Sequence, residues 1–356
     1  MNIHLNSPIG GTGYGVASYN ILKALSEHED TDVALTLIGQ QPHIDTQEAA
    51  NIVQTALNKT TDVDYKAATL KIWHQFDLLN RPGKGKYYAL PFYEVDTLTE
   101  REKHHLGFPD HLIVSSKWAK NVLKDNGIKK RATVVPMGVD TEIFKPNDPE
   151  GFDKKGKYIF LTVGKWEVRK GHDTIIDAFG KAFKPDDDVE LWMATHNGFL
   201  NEQQTNEWTN KVQVSPMSSK IRLFPRLPTH AKIAELMSYS DCGLYPSRGE
   251  GWNLELLEHM AMNKPVITTN WSSHTEFCNK KNSYLIDIDE KEPANDGVWF
   301  HGKSNWAKIG QKQVDQLIGH MQDVYKSAVL DNPAGLETAK KFSWKNTAEN
   351  LLRCMS

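Results

Sequence analysis

Glu250 and Glu258 stand eight positions apart in the stretch Tyr245-Pro-Ser-Arg-Gly-Glu-Gly-Trp-Asn-Leu-Glu-Leu-Leu-Glu-His-Met-Ala261. The first acid lies on a glycine-bearing turn and the second inside a helix expected at about 253–262. A turn that runs into a helix N-terminus offers backbone N–H groups and the positive end of the helix dipole to an anion. A carboxylate within the helix suits hydroxyls better than phosphate. Phosphate ligands beside a hydroxyl ligand describe a nucleotide site. Spacing alone leaves a second reading open, in which both acids face water on an ordinary strand-turn-helix.

The elements that must hold these residues follow from the periodicity. Residues 242–246 and 266–269 read as buried strands on either side of the helix. At the start of the chain, 1–6 alternate like a strand and 7–15 form a glycine-rich loop. Val16, Tyr19, Leu22 and Leu25 then recur at helical spacing. A dinucleotide-binding Gly-x-Gly-x-x-Gly fits this loop poorly, because counting from Gly11 the third glycine position falls on Val16. Nor does an acid for an adenosine ribose follow the next strand, 33–38. Further strands are expected at 70–74, 87–92, 112–115 and 133–135, with helices at 46–57 and 117–124. A second series has strands at 158–163, 189–195 and 221–224, and helices at 174–183, 202–210 and 230–238. The tail from 305 reads as mostly helical. Alternating strands and helices predict parallel α/β sheets, and 147–157, mixed in Pro, Gly and charge, is the expected linker.

Four segments in order carry a resemblance. Glu250-Gly-Trp-Asn-Leu-x-x-x-Glu258 with Met260-Ala261 and Pro265-Val-Ile267 resembles the Glu-x7-Glu signature of family 4 glycosyltransferases. Gly10-Gly11-Thr12-Gly13, Pro136-Met-Gly-Val-Asp140 with Phe144 and Pro146, and Gly164-Lys165 through Lys170-Gly171 are similar to other segments of that family. The resemblance implies an α/β protein of the GT-B fold, two Rossmann-like domains facing each other across a cleft. The expected divisions are 1–150 for the acceptor side, 151–335 for the nucleotide-sugar side, and 336–356 as a helix returning to the first domain. It also implies a retaining transferase that takes its sugar from a UDP- or GDP-sugar co-substrate, without another cofactor.

The implied roles can be carried over residue by residue. Loss of the sugar leaves extra negative charge on the diphosphate, which fixed cations or N–H dipoles stabilise. Lys165 and Lys170 are implied to meet that charge, with Arg169 a spare cation beside them. The family usually has Arg at the first place, so Lys165 keeps the charge but loses the bidentate fork. Glu258 is implied to bind ribose hydroxyls and Glu250 the transferred sugar, while the amides near Asn253, Leu254 and Glu255 meet phosphate. Gly11, Thr12 and Gly13 are implied to face the donor phosphates and acceptor. Where relatives often have Gly-Leu-Pro this chain has Asn253-Leu254-Glu255, and Ser272-Ser273 replaces a glycine pair ahead of Glu276. For the residue beside the reacting sugar two positions compete, His74 and Glu94, and the context of Glu94 is the closer one. A sugar-nucleotide-binding protein or pseudoenzyme is the non-catalytic alternative, motivated by Lys165, Asn253 and the two serines.

Metal-dependent transfer through Asp-x-Asp is the rival chemistry, and Asp62-Val-Asp64 and Asp287-Ile-Asp289 have that spacing. With Lys165 and Lys170 available, no catalytic metal is expected. The acceptor is left open among a saccharide, a lipid-linked sugar and a modified nucleic-acid base. Lys117, Lys120, Lys124, Lys129, Lys130 and Arg131 cluster with Trp118, and this segment is the candidate for peripheral contact with anionic lipid or nucleic acid. Net charge near −3 gives no global attraction to either. The 356 residues suffice for two domains of ordinary size. Three scattered cysteines indicate neither a disulfide framework nor a zinc site. With no long apolar run or signal peptide, a soluble cytoplasmic protein is expected.

Overall fold

A computed structural model describes residues 1–39, 44, 46–62, 64–147 and 152–356, without the side chain of residue 62. The chain divides into two compact units, Met1–Asp140 with Phe342–Ser356, and Thr141–Lys341. The expected boundary at 150/151 falls outside the described residues.

The first unit opens with β1 (Asn2–Ser7), α1 (Gly13–Ser26), β2 (Asp32–Leu37) and α2 (Gln47–Asn58). It continues through β3 (Ala68–Lys71), β4 (Tyr87–Ala89), α3 (Glu100–Leu106), β5 (His111–Val114), α4 (Lys117–Asp125) and β6 (Ala132–Val134). The sheet order is β2-β1-β3-β4-β5-β6, every pairing parallel. Strands buried on both faces explain the near-continuous apolar runs seen in sequence. The chain reverses its direction across the sheet between β1 and β3, which makes a switch-point crevice at their carboxyl ends. On α4 the inner face carries buried Ala119, Val122 and Leu123, while Lys117, Lys120 and Lys124 are exposed.

The second unit contains β7 (Tyr158–Val163), α5 (His172–Ala182), β8 (Val189–Ala194), α6 (Glu202–Gln213), β9 (Ile221–Leu223) and α7 (His230–Tyr239). Then come β10 (Cys242–Tyr245), α8 (Leu254–Ala261), β11 (Val266–Thr269) and β12 (Tyr284–Ile286). The order β12-β11-β10-β7-β8-β9 is again all parallel, with its switch point between β10 and β7. A core of Phe160, Phe179, Leu191, Leu244 and Ile267 is sealed by Leu317, Met321 and Val324.

An antiparallel hairpin, β13 (Lys291–Asn295) and β14 (His301–Ala307), precedes α9 (Gln311–Lys326) and α10 (Pro333–Lys341). Helix α10 packs on α8, so the return to the first unit begins after it. There α11 (Trp344–Met355) packs on α1. Val139 N donates to Phe342 O at 2.9 Å, and Thr347 Oγ1 donates to Pro136 O at 2.8 Å.

Candidate functional site

The second unit gathers a charged cluster at its switch point, from the loops that follow β7 and β10. Both loops leave buried strands, so their side chains meet at the carboxyl edge of the sheet. Gly171, which precedes α5, adopts φ +75°, and a Cβ there would lie 2.3 Å from Pro246 O. Only glycine lets the two loops approach this closely. Gly164 has φ +134°, and the Lys170 side chain lies against the space its missing Cβ leaves.

Within the cluster, Arg169 NH2 is 2.7 Å from Glu167 Oε2 and NH1 is 2.8 Å from Glu250 Oε2. Arg169 also donates to Gly249 O at 2.6 Å. Lys170 Nζ is 3.2 Å from Glu250 Oε1 and 3.8 Å from Glu255 Oε1. Lys165 Nζ is 3.1 Å from Glu167 Oε1. Ser247 Oγ adds a hydrogen bond to Glu250 at 3.0 Å. Glu167, Arg169, Lys170 and Glu250 are all buried. Burial alone would raise the Glu250 pKa, but Arg169 and Lys170 outweigh it and hold the carboxyl far below the usual range. Likewise burial would lower Lys170, yet Glu250 and Glu255 keep it above its ordinary value. Three cations against two buried carboxylates leave one net positive charge, before half-exposed Glu255 is counted.

Two departures from the family pattern have a backbone explanation. Asn253 caps α8 at φ +82°, a region that Asn tolerates better than most side chains. Its Oδ1 accepts from Leu256 N at 3.2 Å, which leaves Nδ2 to donate to His274 Nε2 at 2.9 Å. That assigns the His274 proton to Nδ1, 3.1 Å from Thr269 O. Ser272 sits at φ +52°, where glycine would be at ease, and its Oγ accepts from Glu250 N at 2.9 Å. Ser273 Oγ donates to Gly251 O at 2.9 Å. Side chains stand where the resemblance implies glycine, and each is tied back to the Glu250 turn or to the α8 cap.

Helix α8 presents its first turn, Leu254 and Glu255, beside Lys170, while Glu258 is buried on the next turn. The reading in which Glu250 and Glu258 merely face water is therefore excluded. Asp287 and Asp289 lie beyond β12, where Lys312 Nζ pairs with Asp289 at 2.6 Å. Asp62-Val63-Asp64 is only partly within the described residues.

The remaining expected residues belong to the first unit and are described there separately. Gly11, Thr12 and Gly13 are exposed at the start of α1. Next to them Tyr14, which the sequence reading did not single out, organises the switch point. Its hydroxyl donates to Phe92 O at 2.9 Å and accepts from Phe92 N at 2.8 Å. Its ring lies 4.6 Å from that of His74, 5.6 Å from Trp73 and 5.1 Å from Phe92. Burial and the nearby Glu94 charge keep the Tyr14 phenol protonated, with its pKa well above the ordinary value. His74 and Glu94, posed as alternatives in the sequence, thus both neighbour Tyr14. The strand expected at 70–74 ends at Lys71, which puts His74 on the loop beyond it.

Residues 157–297 match the family described as Glycosyl transferases group 1. An uncharacterized glycosyltransferase of Methanocaldococcus jannaschii is 28% identical over 240 residues, 66% of this chain and 56% of the relative. The chain thus spans little more than half of that relative's length. Sucrose-phosphate synthase from Thermosynechococcus elongatus superposes over 99% of this chain and 98% of its own, with TM-score 0.74 and 14% identity. Anabaena HepE, solved in complex with UDP-glucose, covers 100% and 99%, with TM-score 0.69 and 12% identity.

The chain has the GT-B fold, and its residues 157–297 are similar to the group 1 glycosyltransferases. The matched segment contains the whole charged cluster, and the likeness to solved structures extends to both six-stranded sheets. Among the described residues, no helix is long and apolar enough to cross a membrane.

Proposed function

We propose that the protein transfers a sugar from a nucleoside-diphosphate sugar to a hydroxyl of a saccharide acceptor, with retention of anomeric configuration. The observation that carries this reading is the cluster of Lys165, Arg169 and Lys170 around Glu250, beside the N-terminus of α8 at the switch point. Lys165, Lys170 and the first-turn amides of α8, from Asn253 through Glu255, bind the diphosphate and stabilise its charge as the sugar departs. Glu258 accepts from the ribose hydroxyls. Glu250 holds the cations in place and accepts from a hydroxyl of the moving sugar. A same-face attack needs no protein nucleophile, because the leaving diphosphate takes the acceptor proton. The cluster's own cations serve where other transferases use a metal. A UDP- or GDP-sugar is the expected donor, and HepE, with its UDP-glucose complex, supports that class.

Gly11, Thr12, Gly13, Tyr14 and Glu94 line the acceptor side, and Glu94 orients the attacking hydroxyl. Rings of Tyr14, Trp73, His74 and Phe76 gathered after neighbouring strands suit the C–H faces of a sugar. Glu94 and Asp77, the latter accepting from Trp73 Nε1 at 3.0 Å, disfavour a phosphate polymer there. The exposed basic face of α4 offers a peripheral contact with an anionic surface, separate from acceptor recognition. Free Cys242, Cys278 and Cys354 suit a reducing cytoplasm. A thermal-shift screen of UDP-, GDP- and ADP-sugars tests the donor class, since a bound ligand raises apparent stability by mass action. No shift with any of the three would remove the reading.

A further inference from the structure

The β13–β14 hairpin has no part in the nucleotide site as assigned above, yet it reaches the loops of that site at both ends. At its base, Ala307 N donates to Arg248 O at 2.8 Å, and Glu292 Oε1 lies 3.4 Å from Arg248 Nε. Buried Trp306 donates to the same Glu292 oxygen at 3.1 Å. Arg248 continues the tie to α5, 3.1 Å from Asp173. At its tip, the Asp296 carboxylate accepts from Val298 N, Trp299 N and Phe300 N at 2.8–2.9 Å.

That closed turn holds Trp299 against Phe199, ring centroids 6.1 Å apart at 88°, the edge-to-face arrangement that aromatic pairs prefer. Both rings are more than half exposed, Phe199 at 58% and Trp299 at 52%. The face of Phe199 lies 5.1 Å from Lys165 Nζ. Phe199 is also anchored to the Lys165 loop through Asn197, whose Oδ1 accepts from Phe199 N at 3.0 Å and whose Nδ2 donates to Trp166 O at 2.9 Å.

We propose that the hairpin is a strap running from the β10 loop to the β8 loop, and that Trp299 and Phe199 are positioning residues for Lys165. A lysine lacks the rigid fork of arginine. Here the ammonium is fixed from two sides, by the Phe199 ring face and by Glu167. A cation ordered in advance loses less side-chain freedom when the diphosphate arrives. The proposal rests on the reading of Lys165 as a diphosphate ligand.

The test has a ligand-free and a ligand-bound arm. In the free protein, ring current should move the Lys165 ε-methylene protons upfield, a resonance assigned by its loss in Lys165→Ala. The shift should vanish in Phe199→Ala and shrink in Trp299→Ala. In calorimetric titrations with UDP and GDP, Phe199→Ala should weaken the bound nucleotide roughly threefold to fivefold, with Phe199→Tyr restoring it. In a Lys165→Ala background, Phe199→Ala should cost nothing further. Lys165 protons at random-coil positions in the wild type would overturn the strap, as would an equal Phe199→Ala loss without Lys165. If Lys165→Ala weakens binding and Phe199→Ala does not, the strap alone fails. If Lys165→Ala changes nothing, the diphosphate reading of Lys165 fails and takes the strap with it.

Discussion

Lys170 Nζ and Glu250 Oε1 lie 3.2 Å apart, both buried, with Arg169 on the other oxygen of the same carboxylate. The acid expected on the sugar and the cation expected on the diphosphate are partners of one another. A diphosphate that binds here competes with Glu250 for Lys170, so the two roles cannot be independent.

Glu250→Gln should therefore act in two directions. Leaving Arg169 and Lys170 without their buried counter-ion should lower stability by about 3–5 kcal/mol, read as a drop in melting temperature. The freed cations should bind nucleoside diphosphate at least as tightly as the wild type does, while turnover falls. Weaker diphosphate binding in a folded Glu250→Gln protein would contradict competition between Glu250 and the diphosphate for Lys170, and would show that Glu250 serves binding by holding the cations in place.

Lys170→Ala would remove the charge-assisted contact to phosphate proposed for this lysine. It should weaken nucleoside diphosphate and nucleotide sugar alike, by about 1.5–3 kcal/mol. Glu258→Ala should weaken both as well, because ribose is common to donor and product. Calorimetric affinities left intact in either variant would take that residue out of the site.

Three buried histidines should weaken the second unit in acid. Burial lowers the pKa of His172 and His259 to about 3 and that of His274 to about 4, from 6.5. As pH falls below 6.5 the unfolded chain takes up protons that the folded chain refuses. Their contribution is thus whole above pH 6.5 and is lost progressively as pH falls toward 4 and below. Denaturant melts at pH 7 and pH 4.5 measure it. His274→Gln should reduce the difference if it keeps the bond to Asn253, and an unchanged difference would show that His274 titrates normally.

The architecture was legible because β1, β7, β10 and β11 are buried runs, the first three followed by glycine-bearing loops, and because Thr46, Ser116 and Thr229 mark helix starts with real caps. The Glu250–Glu258 pair was singled out by its resemblance to the Glu-x7-Glu signature, since spacing alone left open that both acids face water. What sequence could not give was partnership. Arg169 read as a spare cation, yet it lies between Glu167 and Glu250. Tyr14 read as part of a flexible loop, because nothing local shows that its hydroxyl meets Phe92. The hairpin was missed in a stretch of weak alternation, although Asp296-Gly297 between two extended segments was a usable signal. Asn253 and Ser272 looked like defects because a left-handed backbone is invisible until the fold is known.

The central claim is sugar transfer from a nucleoside-diphosphate sugar by a cation cluster, without a divalent metal. The direct measurement incubates the protein with UDP-, GDP- and ADP-sugars and a mixture of neutral oligosaccharides in excess EDTA, and follows nucleoside diphosphate release. One donor class should yield diphosphate and a lengthened saccharide, and Lys170→Ala should suppress both. Nucleotide binding without sugar release would identify a binding protein instead, and a rate that collapses in EDTA and returns with Mn²⁺ would contradict the mechanism.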